Sequence, residues 1–369
     1  MDKKIRQSNI ELLRILAMFM IVLGHSSFHS EFVFGSSFSV NRIWTQFTAC
    51  GGNWGLNLFG LITGYFLIKN SNNIISKALR FMLQTLTYSF GIYIILLYKN
   101  SISFNPKQFI SFLFPLLFDK WWYASAYFFL LMCSPVLNRM VLYWSKKEFT
   151  SILVFLTINW VIVPTVLLSK SYAMSGFFWC FYLYLIGAYI QCHVNLEKVR
   201  MKYCLIGAFG AFFLTLLFIV TFNVIGIKYP ELAIKATYVN NKQDLLIVMG
   251  SIFLFLSFLK WNVSENRLIN KTASAMFGVY LIHEHELVYS YLWNSLFCLK
   301  NFAYSQYLFL YHVVAAVLVL MICSAIELLR QTLFEGSYKN VLPVISIRLE
   351  HAWEDLNNEV GVFLERYQS

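Results

Sequence analysis

The segment ELLRILAMFMIVLGH at 11–25 sets three ionisable side chains, Glu11, Arg14 and His25, into an otherwise apolar run. On an α-helix the steps from Arg14 to His25 make about three turns plus ~20°, so the two share a face ~16 Å apart. Glu11, one turn before Arg14, points the same way and is within ion-pair reach. Such groups at membrane depth are costly unless they are used or paired. A neutral imidazole near neutral pH is matched to removing a proton from a hydroxyl, which makes His25 a candidate general base. The same residues fit a plainer reading, with Glu11 and Arg14 as interfacial anchors and His25 at the outer headgroup level.

Three further groups could do chemistry. His283-Glu284-His285-Glu286 interrupts an apolar run. On a helix His283 and Glu286 share a face at i,i+3, while Glu284 and His285 project elsewhere. His283 is expected to face the bundle interior near the level of His25 and, with Glu286, to bind substrate; it fits a core histidine equally. HExH lacks the i,i+4 spacing of a helical zinc pair, so no metal is expected. Lys77 and Arg80, i,i+3 at a helix start, can grip phosphate or simply mark the cytoplasmic side. Trp122 and Tyr123, following Trp121, read as aromatic-belt residues or as a stacking surface for a sugar ring.

The elements that must position these residues are membrane helices. Hydrophobic residues make up 59% of the 369-residue chain and charged residues 13%, against about 25% charged in soluble domains. That balance excludes a soluble enzyme, a disordered chain and a secreted disulfide scaffold; the mean hydropathy of +0.61 agrees. In a soluble protein the net charge of +11 would point to nucleic acid. Here no basic stripe is interleaved with solvent-facing aromatics, and cytoplasmic loops and anionic lipid account for the charge. The seven cysteines form no CxxC and read as small hydrophobes.

Apolar runs at 10–28, 53–68, 79–98, 121–143, 149–168, 176–192, 204–226, 244–259, 273–295 and 306–329 predict about ten transmembrane helices. The shorter run 108–118 reads as a re-entrant or interfacial segment. The first run is a retained helix, because Glu11 and Arg14 interrupt it and no cleavage site follows. With the N-terminus inside, 20 of the 29 Lys+Arg fall in cytoplasmic segments, among them Lys3, Lys4, Arg6, Lys77 and Arg80, while Lys120, Lys170 and Lys242 fall outside. Both termini are therefore expected in the cytoplasm. Beyond Glu335, Ile347, Trp353, Leu356, Val360 and Phe363 recur at helical intervals between charges, an amphipathic helix expected on the inner membrane surface. The chain thus divides into a transmembrane domain, 1–334, and a tail, 335–369.

Five segments in order resemble the acyltransferase family 3 membrane proteins. Acidic-x-x-Arg, then ten residues, then His, at Glu11, Arg14 and His25, resembles the family's opening helix. NLFGLITGYFLIK at 57–69 is similar to its second-helix signature, with Thr63 where Ser is usual. Lys77-Ala78-Leu79-Arg80 matches a basic-x-x-Arg motif opening the third helix. WWYASAYFFLLMCSPVLN at 121–138 resembles the segment ending in Ser-Pro-x-Leu-Asn, and GVYLIH at 278–283 matches Gly-Ile-Tyr-Leu-Ile-His.

The resemblance implies an all-α, multi-pass O-acetyltransferase of the cell membrane. Its donor would be cytoplasmic acetyl-CoA and its acceptor a hydroxyl of a cell-surface or lipid-linked polysaccharide. It makes His25 the general base or a transient acyl carrier. Arg14, paired with Glu11, would hold His25's tautomer or meet the thioester, and Lys77 and Arg80 would hold the CoA diphosphate. A reading from another class is an exporter of a lipid-linked sugar, with His25, His283 and Glu286 as a proton relay. Repeats and broken helices, common in transporters, are not evident in the sequence.

Overall fold

The computed structural model describes residues 7–35, 38–69, 73–167 and 175–366, with few side chains beyond Phe334. Lys3, Lys4, Arg6 and Lys170, and the side chains of Trp353, Leu356, Val360 and Phe363, lie outside the described residues. Among those described, every regular element is helical. In order they are α1 (Ser8–His29), α2 (Val40–Leu67), α3 (Ile74–Tyr98), α4 (Pro106–Leu113) and α5 (Trp122–Tyr143). Then come α6 (Lys146–Thr157), which runs through a π-helical turn into α7 (Val163–Val166), α8 (Gly176–His193) and α9 (Met201–Lys228). The last are α10 (Leu245–Lys260), α11 (Arg267–Ser274), α12 (Met276–His283) and α13 (Leu308–Arg366).

Among the described residues, six helices are long and apolar enough to cross a membrane: α1, α3, α5, the α6–α7 unit, α9 and Leu308–Phe334 of α13. The all-helical, multi-pass architecture is as the sequence implies, and three of the other apolar runs take forms that length and composition alone do not mark as spans. α2 starts at Val40, well before the apolar run, where the Ser39 hydroxyl caps it by accepting from Arg42 N. Its polar residues are served inside the bundle. Fully buried Asn57 donates to Lys242 O and accepts from Trp179 Nε1, each at 2.9 Å. α10 is only 16 residues long. The run 273–295 is not one helix, since α12 stops at His283 and the chain re-forms only a π-helical turn at Tyr291–Leu296.

The segment around 108–118 forms the short α4, capped by Asn105 and ended before Pro115. α13 passes the 334/335 boundary without a break, so the tail is a continuation of the last span's helix. All seven cysteines are free.

α1 lies inside the bundle, with Leu13, Ala17, Met18, Ile21 and Val22 buried, and α2 lies along it. Their approach depends on Gly55, where an added Cβ would stand 2.4 Å from Ala17 O. Backbone cannot yield as a side-chain tip does, so Gly55→Ala is expected to destabilise the fold by ~1–3 kcal/mol. A lowered midpoint in thermal unfolding of the detergent-solubilised protein checks this; an unchanged midpoint would mean the seam adjusts freely.

Candidate active site

His25 sits one helical turn before the end of α1 and is half-buried. Its Nδ1 meets His283 Nε2 at 3.0 Å and Glu284 Oε2 at 2.9 Å. The proton positions follow from His283. Its Nδ1 lies 2.6 Å from Val279 O, a carbonyl that only accepts, so Nδ1 carries the hydrogen and Nε2 is a lone pair. His25 Nδ1–H therefore donates to His283 Nε2 beside the Glu284 carboxylate. That leaves His25 Nε2 as the free lone pair, which is the protonation state a general base needs. Glu284 is shared: its Oε1 accepts from His29 Nε2 at 3.0 Å, and the His29 ring stacks on Tyr289 with centroids 4.2 Å apart.

A cavity of about 680 Å³ runs beside α1. Glu11, Arg14 and His25 line it, as their shared helical face implies. So do Lys77, Arg80, Trp122 and Tyr123. Arg14 Nε lies 3.9 Å from Glu11 Oε2, a loose pair, and has no hydrogen-bond partner. His283 is fully buried behind His25.

Glu286 departs from expectation. It is half-exposed and accepts from Lys120 Nζ at 2.7 Å. The expected face of His283 with Glu286 does not form, because the helix ends at His283 and i,i+3 spacing no longer applies. Glu284, the cap residue, turns to His25 instead. A relay of His25, His283 and Glu286 is accordingly not assembled. His285 is buried with its Nδ1 accepting from Leu287 N at 3.1 Å and its ring stacked on Phe112. This local bond competes with continued helix.

No metal site was expected from the HExH spacing. In three dimensions the ligand atoms of His25, His283 and Glu284 lie within 4.8 Å of one another, a grouping able to hold a cation. One shared proton on His25 Nδ1 also satisfies all three.

Sequence reasoning missed two further clusters. Glu327 is fully buried, and Arg330 donates to its Oε2 from Nε and to its Oε1 from Nη2, both at 2.7 Å. Tyr88 Oη, Gln84 and Gln331 also donate to this carboxylate. Glu327 and Arg330 border the same cavity. Their i,i+3 spacing at the end of the last apolar run was the available signal. Gly278 of α12 packs against them; a Cβ there would stand 2.5 Å from Glu327 Cγ.

The second cluster looks like a nucleophile and base but is not. Ser26 Oγ lies 2.5 Å from His312 Nε2. Trp44 Nε1–H donates to His312 Nδ1 at 3.1 Å, so the His312 proton is on Nε2 and points at Ser26. No lone pair remains to activate the hydroxyl, which donates to Leu23 O. The cluster ties α1 to α2 and α13.

No curated protein and no solved structure matches the chain. The family model described as an acyltransferase domain matches residues 7–328. The match begins at Gln7, the residue before α1, and ends just past Glu327, so it takes in α1, α12 with Glu284, and most of the cavity wall: the chain belongs to acyltransferase family 3.

Proposed function

We propose that the protein is an O-acetyltransferase of the cell membrane, moving acetyl from acetyl-CoA to a hydroxyl of a cell-surface or lipid-linked saccharide. The observation that carries this is the single cavity bordered by Lys77 and Arg80 and by His25. The cationic pair suits the diphosphate of CoA, with that end of the bundle facing the cytoplasm and the acceptor arriving beside Trp122 and Tyr123.

In the transfer, the acceptor hydroxyl gives its proton to His25 Nε2 and its oxygen attacks the thioester carbonyl. The C–S bond breaks, and the proton passes from Nε2 to the departing CoA sulfur. Glu284 faces the imidazolium that forms, and His283 holds the ring through Nδ1. A two-step route places the acetyl transiently on Nε2. Arg14, with an unpartnered N–H in the wall, is placed to meet the thioester end of the donor.

The test is release of free CoA by the purified protein with a saccharide acceptor, together with a mass gain of one acetyl group on that acceptor. Absence of both with every hydroxylated acceptor tried would reject the reading. Within it, Lys77→Ala with Arg80→Ala is expected to raise KM for acetyl-CoA roughly tenfold or more and to leave kcat nearly unchanged. Charge-assisted phosphate contacts contribute ~1.5–3 kcal/mol each, and uniform binding loss appears in KM. An unmoved KM would shift the donor's phosphates elsewhere.

A further inference from the structure

Lys242 stands on a fixed piece of backbone before α10. Asn57 donates to its carbonyl, Asn53 donates to Asn240 Oδ1 at 2.7 Å, and Gln243 donates to Trp160 O at 3.1 Å. Its side chain lies over Trp122, with Nζ 4.3 Å from the ring centroid. Among the described residues its ammonium has no carboxylate partner. Asp244, two residues on, is engaged in capping α10 by accepting from Leu246 N. Burial keeps the Lys242 ammonium pKa below the ordinary lysine range.

A partly desolvated cation over a ring face, with no carboxylate beside it among the described residues, is costly, and an anion arriving there recovers that cost. The ring it covers is also a wall of the cavity that His25 lines. We infer that Lys242 binds an anionic group of the acceptor at the Trp122 rim, so that the acceptor is an acidic saccharide. A sugar carboxylate or the phosphate of a lipid linkage would supply the charge, since an ammonium is a point charge that takes either. The inference rests on the transfer reading above and adds the acceptor's chemical class to it. Trp122 and Tyr123 offer faces for a sugar ring, and the cation would fix which way round that ring lies.

The experiment compares three acceptors: a neutral oligosaccharide, the same oligosaccharide carrying one carboxylate, and the same linked to a polyprenyl phosphate. Binding to the full-length protein is read by tryptophan fluorescence, and transfer by CoA release. Wild type is expected to bind at least one charged form about tenfold more tightly than the neutral one, as befits one charge-assisted contact. Which form gains identifies the source of the charge. Lys242→Gln should erase that preference while leaving neutral binding and KM for acetyl-CoA unmoved, and Lys242→Arg should keep it. Equal binding of all three by wild type, or a preference that survives in Lys242→Gln, would overturn the inference. Charge-dependent binding without CoA release from any acceptor would instead sink the transfer reading alone.

Discussion

Replacing His25 by alanine is expected to lower acetyl transfer by about 10²–10⁴-fold, the range for loss of a general base. The protein should still fold and insert, because the change removes a polar group from an apolar helix. His25→Gln is the sharper variant. It keeps size and hydrogen bonding at the Nδ1 side, where His283 and Glu284 wait, but it offers no basic lone pair. Near-normal turnover in His25→Gln would reduce His25 to a positioning role. Labelled acetyl retained on wild type and lost in His25→Ala would favour the two-step route over direct transfer.

The second large effect is expected at Glu284. Loss of the orienting carboxylate in the Ser-His-Asp template costs about 10⁴ in kcat. Here His283 Nε2 also receives the Nδ1 proton, so Glu284→Gln should cost less, roughly 10²-fold. The loss should appear in kcat, with KM for both substrates nearly kept, because the interaction strengthens only as His25 becomes charged. Glu286→Gln, which alters only a half-exposed pair with Lys120, should stay near wild type. Equal losses in the two variants would show that charge in this loop matters only to folding.

The difference between these two glutamates marks how far the sequence is legible. Glu11, Arg14 and His25 could be placed on one wall because α1 is a regular helix, and angular spacing is then enough. Lys77 and Arg80 were legible for the same reason, within α3. Glu284 was not, since its position depends on where α12 stops. At that stop Glu284 meets partners 255 residues or more away in sequence, His29 and His25. Periodicity carries no information about such contacts. Hydropathy likewise cannot register that Asn57 is satisfied by Lys242 O and Trp179, so the 28-residue α2 does not stand out as a membrane-crossing helix by composition. Glu327 and Arg330 show their spacing in sequence, but the five donor atoms converging on that carboxylate come from α3 and α13 together.

The early end of α12 has an electrostatic consequence. A helix carries about half a negative elementary charge at its C-terminus, from carbonyls that lack intrahelical partners. α12 ends at His283, and α1 ends at His29 one turn past His25, so two such ends converge on the same imidazoles. Both ends present partial negative charge to the cation that would form in the proposed transfer, an interaction of ~0.3–1 kcal/mol each. A continuous helix through 273–295 would have carried the α12 carbonyls past the site and left only the α1 end beside the imidazoles.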